Sequence, residues 1–182
     1  MSNLDEFDMF KHLEDRHFNI SLYHGLTITD ETVTLPLWNL SGQMVGYQQY
    51  RPKGNKKEHR NPKNGKYYTW IRKEGKTSSL TAWGLDLLDS RNRVIYLLEG
   101  VFKACRFHNY RLNALATISN NPKHLKTWLN SLGYDVIPIC DGDKAGAKLA
   151  KFGRRSLILP DGVYVDEFSE SEFIALLHEL EQ

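Results

Sequence analysis

Residues 139–146, ICDGDKAG, set two aspartates, Asp141 and Asp143, on either side of one glycine, directly after the apolar run VIPIC. A short, bounded apolar run of this kind reads as a buried strand of a parallel sheet. Both carboxylates then stand at its carboxyl end, the edge where open α/β sheets bind their ligands. Outward from this point, strand and helix patterns alternate from Arg93 on. VIYLLEG reads as a strand ending in an acid and a glycine, VFKACRFHNY as a helix and LNALATIS as a second strand. Residues 122–132 form a helix with Pro122 in its first turn and Gly133 just past its end. YDVIPIC is the third strand, DKAGAKLAKFG a helix closed by Gly153, and SLILP the fourth strand. After the turn DGVYVDEFS, ESEFIALLHELEQ is a last amphipathic helix. Such alternation predicts an α/β fold, parallel strands joined by right-handed helical crossovers.

The amino half has a different rhythm. Leu4, Phe7, Phe10 and Leu13 give residues 4–18 the spacing of an amphipathic helix. TVTLPLWNL and QMVGYQQYR are β-rich runs around Ser41-Gly42, a hairpin signal, and KYYTWIR is a further short strand. Residues 81–88 suggest a short helix with Trp83, Leu85 and Leu88 inward. The expected organisation is a small mixed α+β unit over residues 1–90 and an α/β unit over residues 91–182.

Acids recur at the strand ends: Glu99 after the first, Asp141 and Asp143 after the third, Asp161 and Asp166 after the fourth. Neighbouring strands lie about 4.8 Å apart, so groups from adjacent ends can share one ion. An all-oxygen set points to Mg²⁺ or Mn²⁺, which keep waters and bridge to substrate phosphates. Without a cation, carboxylates so close raise one another's pKa. Each acid also has a plainer role open to it. Asp141 and Asp143 can cap and charge the start of a helix, Glu99 can be a first-turn acid, and Asp161-Gly162 can be an ordinary turn. A cap accounts for one of the aspartate pair and leaves the other.

The chain's net charge of +2 is unevenly spread. Residues 51–76 hold ten Lys/Arg against Glu58 and Glu74, a local charge of +8 that leaves −6 elsewhere. With Tyr67, Tyr68 and Trp70 interleaved, this stretch suits a polyanion, cations taking phosphates and aromatic faces stacking on unpaired bases. It can equally be a solvated loop beside ordinary core aromatics, and it is the one internal stretch where disorder is expected. Lys144, opening the helix after Asp143, can touch a phosphate or remain a solvated lysine.

Two cysteines, Cys105 and Cys140, without CxxC spacing, argue against a disulfide framework or structural zinc and for a reducing cytoplasm. Cys140 fits a small buried strand residue, and the scattered histidines read as surface or packing residues. No apolar run reaches membrane-spanning length, and the acidic, amphipathic start is not a secretion signal.

LLEGVF, ICDGDKAGAKLA and LPDGVYVDEF resemble, in order, the three acidic motifs of the toprim domain, shared by bacterial and phage primases, topoisomerases and some nucleases. TLPLWNLSGQMVGYQQYR, NPKNGKYYT and TAWGLDLL resemble the segment preceding toprim in bacterial-type primases. The resemblance covers roughly residues 30–170. It implies a catalytic and metal-site glutamate at Glu99, a catalytic, metal-holding pair at Asp141 and Asp143, and a further metal-site acid at Asp166. Template- and nucleotide-contacting groups would be Arg51, Lys63, Lys66 and Tyr67. The implied activity is metal-dependent joining of ribonucleoside triphosphates into a primer on single-stranded DNA, with Mg²⁺ or Mn²⁺ and possible partnership with a separate replicative helicase. A non-catalytic, nucleic-acid-binding replication accessory protein and a toprim nuclease are the alternatives. Two positions depart from the primase pattern: Lys103 stands where an acid usually lies four residues after the glutamate, and Tyr164 stands where another usually lies two before Asp166. With neither a zinc module nor a P-loop helicase motif in the sequence, the expectation is a stripped-down, phage-type toprim protein.

Overall fold

The computed structural model describes residues 7–118 and 123–181. The first turn of the expected helix at residues 4–18 and the Pro122 start of the later one lie outside the described residues. Helix α1 (Met9–Asp15) begins where the Asp8 carboxylate accepts hydrogen bonds from the Phe10 and Lys11 amides, at 2.9 and 3.1 Å. Strands β1 (Thr27–Ile28), β2 (Val33–Trp38), β3 (Met44–Tyr50) and β4 (Tyr67–Ile71) form an antiparallel sheet in that order. The β2–β3 turn is closed by Asn39, whose Oδ1 accepts from the amides of Ser41 and Gln43, with Gly42 at φ +73°. A small hairpin, β5 (Lys73–Glu74) and β6 (Thr77–Ser78), follows.

The second sheet contains β7 (Val94–Leu98), β8 (Ala114–Ala116), β9 (Asp135–Cys140) and β10 (Leu157–Ile158) in the order β10-β9-β7-β8, every pairing parallel. Helices α2 (Val101–His108), α3 (Lys123–Ser131) and α4 (Lys144–Leu149) lie between the strands, and α5 (Glu170–Leu180) follows. The strands alternate across two cores. Ile95, Leu97, Leu115 and Val136 pack with Leu125, Leu129 and Leu149 of α3 and α4. Tyr96, Leu98, Ile137 and Ile139 pack on the other face with Phe102 and Phe107 of α2 and Phe173 of α5. That second core also takes in Met9 and Leu13 of α1, Val33, Leu35 and Leu37 of β2, and Tyr50. The two sheets are therefore joined through shared apolar burial. The result is the mixed α/β, toprim-type arrangement expected from the sequence, a parallel sheet with flanking helices behind a smaller mixed unit.

Residues 81–88 do not form the expected helix. Trp83 and Ala116 exchange backbone hydrogen bonds at 3.0 Å in an antiparallel bridge, so Trp83 extends the edge beyond β8. Gly84, at φ +100°, then turns the chain where a Cβ would stand 2.6 Å from the Ala114 carbonyl. Only one 3₁₀ turn, Leu85–Leu87, remains. Pairing with the sheet edge outweighed the local helical pattern.

Beneath that bridge His108 is buried. Its Nε2 donates to the Ala114 carbonyl at 2.9 Å, and its Nδ1 lies 3.0 Å from the Tyr23 hydroxyl, as a neutral ring permits. Burial pushes its pKa down to about 4. An unfolded histidine titrates near 6.5, so as pH falls the unfolded chain takes up the proton first. The stabilisation is fully present above pH ~6.5 and disappears between ~6.5 and ~4. Urea unfolding at pH 7 and pH 4.5 should show on the order of 3 kcal/mol more acid loss in the native chain than in His108→Gln; equal losses would exclude a buried neutral imidazole.

Candidate active site

The strand order brings the motifs together. The helix after β7 packs on one face of the sheet and the helix after β9 on the other, so the connections diverge between these adjacent strands. That is the topological switch point at which doubly wound sheets place ligands. The β7–β9 register pairs Leu97 with Pro138; continued two residues, it sets Glu99 opposite Cys140 and next to Asp141. Cys140 itself is fully buried.

Both glycines of the DGDKAG turn are required by close approach. A Cβ at Gly142 would stand 2.6 Å from the Asp161 amide nitrogen, and one at Gly146 would collide with the Asp141 carbonyl. Asp143 is the N-cap of α4, its Oδ1 accepting from the Gly146 amide at 2.8 Å. Asp141 instead turns onto Lys103, whose Nζ lies 2.6 Å from Oδ1 and donates to Oδ2 as well. The two side chains are 15% and 13% exposed, so the pair is largely enclosed. Lys103 Nζ also lies 5.2 Å from the centre of the Tyr164 ring. The two positions that depart from the primase pattern thus meet one another.

Asp166 is held by a cation from the opposite end of the chain, with Arg16 Nη2 2.7 Å from its Oδ2. The Arg16 guanidinium lies over the Phe102 ring at 4.0 Å and reaches the Tyr50 hydroxyl at 3.5 Å. The Tyr50 hydroxyl also lies 2.9 Å from His12 Nε2, and its ring stacks on Tyr67 with ring centres 5.1 Å apart. Lys66 Nζ stands 6.0 Å from the Tyr50 ring. Sequence reading missed Arg16, although a cation at position 16, on the helical stripe of the apolar positions 9 and 13, is a signal: Met9 and Leu13 are buried on that stripe.

Glu99 is left without a side-chain partner among the described residues. Its pKa is raised, first by burial, then by the negative charges of Asp141 and Asp143, with Lys103 opposing. Among the described residues no three Asp, Glu, His or Cys side chains close on a common point as a preformed metal cage. With Asp141 paired to Lys103 and Asp166 to Arg16, the uncompensated carboxylates are Glu99 and Asp143, whose joint charge matches one divalent ion. The four acids are not arranged to share one cation, and the two that could still offer oxygens to a hard cation are Glu99 and Asp143.

The remaining expected contacts divide between places. The basic loop is closed by backbone bonds, Arg51 N to Lys66 O at 2.8 Å and Lys66 N to Asn55 O at 3.0 Å. Gly54 has no room for a Cβ against the Lys66 backbone. Lys66 and Tyr67 stand beside Tyr50 and Arg16, and burial with the positive charges of Lys56 and Arg16 pushes the Lys66 pKa down. Arg51 turns to the other side of the sheet, its Nη2 donating to Gln49 at 3.0 Å and its Nη1 buried without a partner among the described residues. Strand alternation groups it there with Tyr47, Tyr68 and Trp70, where Tyr47 and Trp70 stack at 5.7 Å. Lys63 is exposed on the 3₁₀ turn Pro62–Asn64, and Lys144 is exposed at the first position of α4.

No protein-family model and no curated protein matches the sequence. Solved structures do match in shape. A DNA primase domain from Pseudomonas aeruginosa superposes with a TM-score of 0.61 at 18% identity over 95% of this chain and 58% of that one. The DnaG primase catalytic domain bound to ssDNA gives 0.63 at 19% identity over 95% and 58%. The primase fragment of the bacteriophage T7 primase-helicase protein gives 0.58 at 11% identity over 86% and 66%. The fold is that of a bacterial-type primase catalytic core. The chain spans a little under two thirds of the primase structures it matches, and no helix among its described residues is long and apolar enough to cross a membrane.

Because Arg16 and Asp166 are 150 residues apart, their bond ties the amino-terminal unit to the toprim edge. Arg16→Met keeps the packing over Phe102 and leaves Asp166 unpaired. It should cost about 2 kcal/mol in urea unfolding, below the roughly 3–5 kcal/mol of fully enclosed pairs because this one is partly exposed; unchanged stability would show that the bond does not hold the halves together.

Proposed function

We propose that the chain is a primase-like toprim protein of phage-type DNA replication, binding single-stranded DNA and joining ribonucleotides at the β7–β9 edge. The observation that carries this reading is the continuity of the basic loop with the acid cluster: Lys66 and Tyr67 adjoin Tyr50, and Tyr50 adjoins the Arg16–Asp166 pair. A polyanion held by the loop's cations would meet the toprim acids, and Tyr67, 43% exposed, offers an unpaired base an aromatic surface.

In this reading Glu99 and Asp143 hold Mg²⁺ or Mn²⁺. The bound ion would supply Lewis-acid neutralisation of the charge that develops on the transferring phosphoryl group. Glu99, with its raised pKa, is the group suited to move a proton at the attacking hydroxyl, as base or acid. Lys66 and Arg16 orient the phosphates, and Lys144 lies beside them at the start of α4. Ribonucleoside triphosphates are the substrates, the host cytoplasm is the setting, and a separate replicative helicase is the expected partner.

A second reading rests on the Lys103 ammonium at Asp141: a non-catalytic accessory protein that kept the fold and binds single strands without chemistry. Labelled ribonucleotide incorporation on single-stranded DNA separates the two. The native chain should extend primers with Mg²⁺ or Mn²⁺, and Glu99→Gln or Asp143→Ala should lower the rate at least 100-fold while leaving DNA affinity within about threefold. No incorporation with any template or metal, alongside salt-sensitive binding, assigns the accessory role, and metal-dependent nicking on the same gel assigns a nuclease. Lys66→Ala should weaken binding and reduce the magnitude of the slope of log K against log salt by about one.

A further inference from the structure

We propose that Lys103 is a resident cation of the toprim centre: its ammonium holds on Asp141 a position that a divalent ion would otherwise take, so the centre binds one ion fewer than its acids would allow. The inference rests on the metal-dependent reading above and specifies how that site is charged.

Three observations on separate elements carry it. Lys103 Nζ faces both oxygens of Asp141, so it fills the face of that carboxylate that a metal would chelate with both oxygens. The ammonium is enclosed, at 15% side-chain exposure, and the Tyr164 ring lies 5.2 Å away, a second surface suited to a cation. Charge counting gives the same answer. Lys103 and Arg16 compensate Asp141 and Asp166, and the two remaining carboxylates, Glu99 and Asp143, match a single divalent ion. A second divalent ion at Asp141 would sit within a few ångströms of a fixed positive charge and be repelled by it.

The experiment counts metal directly, without nucleotide or DNA. Mn²⁺ is titrated into the full chain and followed by the loss of its free-ion electron paramagnetic resonance signal, for the native protein, Lys103→Gln and Lys103→Asp. The native chain should bind one Mn²⁺. Lys103→Gln, which frees Asp141 without adding a carboxylate, should bind Mn²⁺ at least tenfold more tightly, and Lys103→Asp should bind one more ion. In metal-free buffer Lys103→Gln leaves a largely buried carboxylate unpaired, so its melting temperature should fall below that of the native chain and recover with Mn²⁺. If Lys103→Asp does not fold, Lys103→Gln decides alone. Equal stoichiometry and affinity in native and folded variant proteins overturns the proposal, as does the absence of Mn²⁺ binding from all three. A chain that shows the expected ion count and extends no primer keeps this inference and loses the nucleotidyl-transfer reading.

Discussion

Parallel register between β7 and β9 brings Glu99 beside Asp141 and Asp143, and carboxylates at that spacing repel unless positive charge lies between them. The rest of the site follows from how this charge is met. Two carboxylates are met by the chain's own cations; of the two without a counter-ion, Asp143 caps α4 with one oxygen and Glu99 is left open with its pKa raised. The switch point of the sheet supplies the opening, and the glycines of the DGDKAG turn let the strand end and the helix start approach closely enough to make it narrow.

The amino-terminal unit is tied to this edge and is more than an appended sheet. The core that buries Leu98, Ile137 and Ile139 also buries Leu13, Leu35 and Tyr50, and Arg16 crosses from α1 to Asp166 above it. Tyr50 is the hinge of the arrangement: its ring packs edge-on to Phe102 at 4.7 Å, and its hydroxyl meets His12 and Arg16. A change in the basic loop at Lys66 or Tyr67 is thereby one residue removed from a change at the toprim acids. The loop has a second surface, with Arg51, Tyr47, Tyr68 and Trp70 on the outer side of the same sheet. Strand alternation, and nothing in the charge count, decides which of the loop's groups look toward the acids.

Much of this was legible in the sequence because its signals were periodic. Alternating apolar strands and helices over residues 94–180 pointed to the parallel sheet, and Ser41-Gly42 to the β2–β3 hairpin. Residues 81–88 were misread because their partner, Ala116, lies far along the chain; a bridge to a distant edge leaves no local pattern. The acids could be located at strand ends, but their directions could not. Asp143 turns to its own helix, and Asp141 and Asp166 to cations 38 and 150 residues away. Long-range ion pairs carry no periodic signature, although a lysine and a tyrosine at two positions where the resemblance expects acids marked one of them.

The placement of Lys103 argues that the pair with Asp141 was not acquired for the sake of helix stability. Lys103 lies in the first turn of α2, which contains no acid and whose N-cap, Gly100, offers no side-chain acceptor. Unpaired helix amides and the peptide dipole make that end of a helix positive, so a cation there is on the unfavourable side by roughly 0.3–1 kcal/mol. Enclosing the ammonium adds a desolvation cost. Both costs are offset only through Asp141 and the Tyr164 ring, groups that belong to the acid cluster and not to the helix. A surface lysine would avoid each of them. The same geometry read from the other side explains how Asp141 can be enclosed at 13% exposure: its counter-ion is delivered on a covalently anchored arm from the adjacent strand's helix.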